Sequence, residues 1–217
     1  MSYFLKTFVA GAIVAFSVSA ASAATITFSG AGGNPNGTYT EGGYEFTPSS
    51  TPSGNCPVPA DAPCVKELQQ GVLTTMVKAG GGAFDLLGLD FLLVGSGNNN
   101  NNQNNTSSFI ITAGATVLEI KMGDALGLFP TFSLKKVDGT ATGNVTFNEG
   151  YRLVFNGLFD NVTSVSFTTT SSRGNAQARM DNVVVPDVAP VPVPAAGLML
   201  LAGLGGMAAL RRRKQTA

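Results

Sequence analysis

The sequence predicts an all-β protein, two antiparallel sheets packed as a sandwich or jelly roll, with an apolar segment appended at each end. Three observations carry that expectation. Short β-prone runs alternate with turn residues through the middle of the chain. That stretch has no sustained three- and four-residue apolar spacing, so it lacks the mark of an amphipathic helix. Fourteen phenylalanines and no tryptophan are enough to fill the space between two sheets.

The expected strands are Ala24–Phe28, Tyr44–Phe46, Val72–Val77, Phe84–Val94, Ser108–Ile111, Thr116–Met122, Thr131–Val137, Gly143–Phe147, Tyr151–Phe155, Thr163–Thr169 and Ala178–Val185. Alternation assigns their faces. In SVSFTTT, Val165 and Phe167 point one way and Ser164 and Ser166 the other; in ARMDNVVV, Met180, Asn182 and Val184 share a face opposite Asp181, Val183 and Val185. Between these runs, residues 29–37 and 47–63 are rich in Gly, Pro and Ser and read as surface loops. The run GSGNNNNNQNNTSS (95–108) has nothing apolar to bury and reads as a strand-to-strand loop.

The ends differ from this body. Lys6, the apolar stretch Thr7–Val18 and the small-x-small triplet Ala21-Ser22-Ala23 form a secretory signal peptide, residues 1–23, with the mature chain starting at Ala24. Export into an oxidising compartment favours a disulfide between Cys56 and Cys64. Two thiols without any histidine make a poor zinc site, and their spacing is too wide for a Cys-x-x-Cys redox pair.

After the sandwich region, 24–185, the Pro-rich stretch 186–194 is a stiff spacer. Residues 195–210 carry no charge; sixteen residues make about 24 Å of helix, short for a ~30 Å hydrocarbon core but able to span with local thinning. Arg211, Arg212, Arg213 and Lys214 follow directly, and such a cluster stays on the cytoplasmic side. Lys6 begins there too, so the body is expected outside the inner membrane.

The tail resembles the PEP-CTERM class of bacterial sorting signals. The similarity lies in Val191-Pro192-Val193-Pro194-Ala195, the apolar stretch after it and the terminal basic cluster, within residues 191–217. The closest variant is the one named for Val-Pro-Leu-Pro-Ala, with Val193 standing for its leucine. The resemblance implies an exosortase-type processing enzyme that cuts near the prolines and passes the body to the cell surface or the medium. This chain lacks the Glu between prolines of the main class, which leaves the processing enzyme open. The segments YTEGGYEFTPS (39–49), GGGAFDLLGLDF (80–91), LFDNVTSVSF (158–167) and ARMDNVVV (178–185) are similar to lectin-like jelly-roll domains that precede such tails.

Chemistry in the body is sparse. With no histidine there is no Ser-His-Asp set, and no Gly-x-Ser-x-Gly elbow is present. Gly80–Gly82 lacks the Lys-Ser/Thr of a phosphate loop. Residues 24–194 hold eight basic and thirteen acidic side chains, a net of −5 with no basic stripe, which argues against a nucleic-acid partner. Carboxylates are the only candidate catalytic groups: Glu41, Glu45, Asp85, Asp90 and Asp181. Glu41 and Asp181, with Asn182 behind them, are the candidate ligands of a structural calcium ion tying an early strand to the last one. The expected function is a non-enzymatic adhesion or matrix role in the envelope or extracellular matrix, with exopolysaccharide as a partner. The alternatives are a calcium-stabilised carbohydrate-binding module and a secreted glycoside hydrolase using paired carboxylates.

Overall fold

Side chains that alternate along a strand have to bury one face, and in this protein two sheets bury their faces against each other. The computed structural model describes residues 23–29, 37–47, 52–53, 56–57, 64–69, 71–94, 107–171 and 177–186. The expected signal peptide up to Ser22, the expected linker beyond Pro186, the Val191–Ala195 motif, the 195–210 run and the Arg211–Lys214 cluster lie outside the described residues. Among the described residues there is no helix, hence none long and apolar enough to cross a membrane.

In chain order the strands are β1 (Ala23–Ile26), β2 (Tyr39–Glu41), β3 (Tyr44–Thr47), β4 (Pro52–Ser53), β5 (Cys64–Gln69), β6 (Thr74–Lys78) and β7 (Gly88–Val94). They continue as β8 (Ser107–Ala113), β9 (Thr116–Lys121), β10 (Gly127–Leu128), β11 (Phe132–Lys136), β12 (Gly150–Phe155), β13 (Ser164–Ser171) and β14 (Gln177–Pro186). The larger sheet runs β10-β11-β12-β7-β14-β5-β4, and the smaller runs β2-β3-β6-β13-β8-β9. β1 joins β14 beside β5, on the edge of β14 that faces away from β7. Every pairing among these strands is antiparallel. The pairs β5·β14, β6·β13, β7·β12 and β8·β9 are nested in sequence and fall alternately in the two sheets.

The core lies between the sheets. Phe91 on β7 stacks on Phe109 of β8, ring centroids 4.9 Å apart, and Phe109 lies 6.4 Å from Phe167 of β13. This column crosses from one sheet to the other. Tyr151 joins it from β12, 5.6 Å from Phe91, and Phe155 meets Phe159 edge-on. In β13 the alternation holds as expected: Val165 and Phe167 are buried while Ser164 and Ser166 are half-exposed.

Two expectations fail, and for one physical reason, the left-handed backbone. Residues 143–147 form no strand. Gly143 (φ 101°) and Asn148 (φ 59°) bracket them, and the segment instead makes a single bridge, Asn144 with Ala125. Its Val145 still drops into the core, and Thr146 N–H donates to the Tyr151 hydroxyl at 2.7 Å. In β14 the face assignment breaks at Asn182, whose φ is +47°. Asp181 pairs with Asp90 and Val184 with Gly88, so three β14 steps match two on β7. This bulge shifts the phase. Met180, Val183 and Val185 all enter the core, and Val184 turns outward instead of joining Met180.

Other differences are of extent. Phe84 belongs to an isolated bridge with Val162, and the strand proper starts at Gly88. β2, β4, β5 and β10 occur where no strand was expected. The asparagine run falls outside the described residues apart from Ser107 and Ser108, which open β8 and are buried.

Cys56 and Cys64 form a disulfide with Cα atoms 5.5 Å apart. It holds Pro57 against β12, where the Pro57 carbonyl occupies the space a side chain at Gly150 would need.

Candidate functional site

The outward face of the larger sheet carries the most developed side-chain constellation among the described residues. Register fixes it. Asp90 sits on β7 between Arg152 of β12 and Asp181 of β14, so a cation and a second anion are its direct cross-strand neighbours. Two acids opposite each other are unfavourable unless compensated. Compensation comes from Arg152, whose Nε and Nη2 donate to the two oxygens of Asp90 at 2.7 and 2.8 Å. Asn182 Nδ2 donates to Asp90 Oδ2 at 3.1 Å, and the Asn182 backbone N–H donates to Asp181 Oδ1 at 2.8 Å. The bulge aims Asn182 at Asp90, and its positive φ is one that asparagine adopts more readily than a β-branched residue does. Asp90 is only 1% exposed, whereas the Arg152 side chain is 49% exposed.

A groove of about 410 Å³ opens beside this cluster. Thr25, Gly88, Val154 and Val184 line its other side. Gly88 is required by close approach: a Cβ there would stand 2.5 Å from the Leu153 carbonyl oxygen of the neighbouring strand. The missing side chain also leaves a hollow between Val154 and Val184.

Glu41, one of the expected calcium ligands, has a different setting. Its Oε1 accepts from Thr27 N–H at 3.1 Å and Thr27 Oγ1 at 3.3 Å; its Oε2 accepts from Phe28 N–H at 2.8 Å and the Tyr39 hydroxyl at 2.6 Å. Phe28 has φ +55°, unusual for a bulky residue, and its ring is fully buried against Phe46 and Tyr39. The carboxylate therefore holds the chain leaving β1 in a strained turn. Glu41 and Asp181 sit on strands of different sheets. Among the described residues no group of three or more acidic or cysteine side chains is placed to hold a metal ion. Glu41→Gln keeps one accepting oxygen and turns an NH2 toward donors. It is expected to lower unfolding stability by about 1.5–3 kcal/mol, read as a fall in the urea midpoint with an unchanged slope.

A second hollow of about 200 Å³ lies among Tyr44, Lys78, Phe84, Asp85, Asn161 and Pro186. Asp85 Oδ1 accepts from Asn161 N–H at 2.7 Å. Burial, and after it the Asp85 charge, pushes the Tyr44 phenol above its usual range, so Tyr44 serves here as a packed ring, edge-on to Phe84 at 5.2 Å. Glu45, also among the candidate acids, is half-exposed on β3.

Asp90, Asp181 and Asn182 were legible as polar residues within motifs. Arg152 was not: it lies 62 residues from Asp90, and no local spacing relates the two. The nearest signal is an arginine at an outward position of YRLVF, which becomes informative only once β12 is known to pair with β7. Compared with protein-family models, curated proteins and solved structures, the chain matches none.

Proposed function

We propose that this chain is an exported cell-envelope or extracellular-matrix protein, delivered by its C-terminal signal and acting in adhesion or matrix contact without catalysis. One observation carries the reading: the Val191–Ala195 proline motif, the uncharged 195–210 run and the Arg211–Lys214 cluster follow one another in that order. The inner membrane and an exosortase-type enzyme are the partners this implies. The body gives support. Ala23, where β1 begins, is the register partner of Pro186, where β14 ends, so the sandwich receives its leader and releases its tail at adjacent backbone positions. Removal of residues 1–23 leaves Ala24 still paired with Val185. The disulfide suits an oxidising compartment. The nested pairing order supports a jelly-roll form of the sandwich.

Intact mass of the protein from native envelope and culture medium tests the proposal. The expected species starts at Ala24 and lacks Arg211–Arg213. A species that starts at Ala24 but keeps the arginines would make it a membrane-tethered periplasmic protein, and an untrimmed chain in the cytosol would overturn export itself. A second reading, a carbohydrate-binding module, is favoured by the groove beside Arg152.

A further inference from the structure

We infer that the groove beside Asp90, Arg152 and Asn182 binds an uncharged, hydroxyl-rich ligand, a segment of neutral glycan. The inference deepens the second reading above, and it depends on the folded sandwich, not on where the protein is sorted.

Of the rows of side chains that the register lays across the outer face of the larger sheet, two run past the groove. One row runs Ser133, Val154, Gly88, Val184 and Thr25, on β11, β12, β7, β14 and β1. The next runs Lys135, Arg152, Asp90 and Asp181. The first is aliphatic with a hydroxyl at each end and a hollow at Gly88. The second is polar, and the charged side chains among the described lining of the groove, Arg152 and Asp90, are of opposite sign and paired with each other, so that lining carries no net charge that would concentrate an ionic ligand. A sugar ring has the matching character: a C–H face for the aliphatic row and hydroxyls at its rim for the polar row. At about 410 Å³ the groove is in the size range of small-ligand sites.

Preorganisation favours this use. The buried carboxylate of Asp90 fixes the Arg152 guanidinium in one orientation, yet about half of the arginine side chain stays exposed. Little conformational freedom is then left to lose on binding. The one left-handed residue of β14, Asn182, lies at the same place, and strained backbone of this kind tends to collect at ligand sites. Among the described residues no aromatic ring lines the groove, so stacking by them supplies none of the affinity. Binding is expected to be weak at one site and to show best with polymers that offer many copies of the ligand.

The test uses the full chain, purified in a non-glycosidic detergent and run on non-denaturing gels containing dextran, laminarin, galactomannan or, as an anionic control, alginate. At least one neutral polymer is expected to retard the protein, and 0.5 M salt leaves that retardation in place. Val154→Arg fills the groove from an exposed position. Asn182→Gly keeps the positive φ but removes the amide. Each is expected to weaken retardation at least tenfold; Val154→Arg leaves the thermal midpoint within a few degrees of wild type, whereas Asn182→Gly also lowers it, because it takes a donor from the buried Asp90 carboxylate. Retardation by alginate alone, loss of binding in salt, no retardation by any polymer, or wild-type binding by a folded Val154→Arg protein would each overturn the inference. The intact-mass result is independent of all four.

Discussion

Arg152→Ala is expected to lower the unfolding free energy by about 3–5 kcal/mol, far more than a half-exposed arginine normally contributes. The cost comes from what the arginine leaves behind, not from the attraction it supplies. A solvent-exposed ion pair gains under about 1 kcal/mol, because water screens both partners. Here only one partner is exposed: Arg152 reaches solvent, while Asp90 is 1% exposed and directly opposes Asp181, which is fully buried. Without the guanidinium, Asp90 keeps the Asn182 amide as its described hydrogen-bond donor and still faces a second acid. The same asymmetry predicts that Asp90→Asn costs less than Arg152→Ala. It removes one of two opposed acids, and the released arginine can be hydrated. Urea unfolding followed by circular dichroism or tyrosine emission, since the chain has no tryptophan, checks the ordering. Arg152→Ala costing less than Asp90→Asn would show that Asp90 does not depend on this partner.

That ion pair also marks the limit of what the sequence conveys. Strands with clean alternation and glycine, asparagine or threonine boundaries were legible: β3, β8, β9, β12 and β13 all lie within a few residues of the expected runs. β5 was not, because CVKELQ places two charged residues mid-strand after a proline-rich loop, and that composition reads as surface. Asn182 misled in another way. One residue in the left-handed region inserts an extra step into β14, and every face assignment beyond it reverses. An asparagine between an aspartate and three valines gives no local sign of that. Strand order is a further step removed. Periodicity tells each strand which face to bury but not which neighbour to take, so the apposition of β7 with both β12 and β14, and with it the meeting of Asp90, Arg152 and Asn182, had to come from the fold.

Phe109→Ala is expected to cost about 3–5 kcal/mol, the range for emptying a buried phenylalanine site. The position is suited to a large effect. Phe109 is fully buried on β8, stacked on Phe91 from the opposing sheet and parallel to Phe167 on the neighbouring strand of its own. Those neighbours sit on central strands, β7 paired on both sides with β12 and β14 and β13 with β6 and β8, so neither can collapse into the void without breaking a ladder. The cavity term should therefore persist. Phe129 provides the contrast. It is 37% exposed beyond β10, stacked on Phe132 at the sheet margin, and its replacement by alanine is expected to cost roughly 1 kcal/mol. Because Phe109 touches both layers, its loss should weaken the sandwich as one unit. Backbone circular dichroism and tyrosine emission should lose signal at a common, lower midpoint. Separate midpoints for the two probes, or a cost for Phe109→Ala no larger than for Phe129→Ala, would mean that the two sheets do not share this aromatic column.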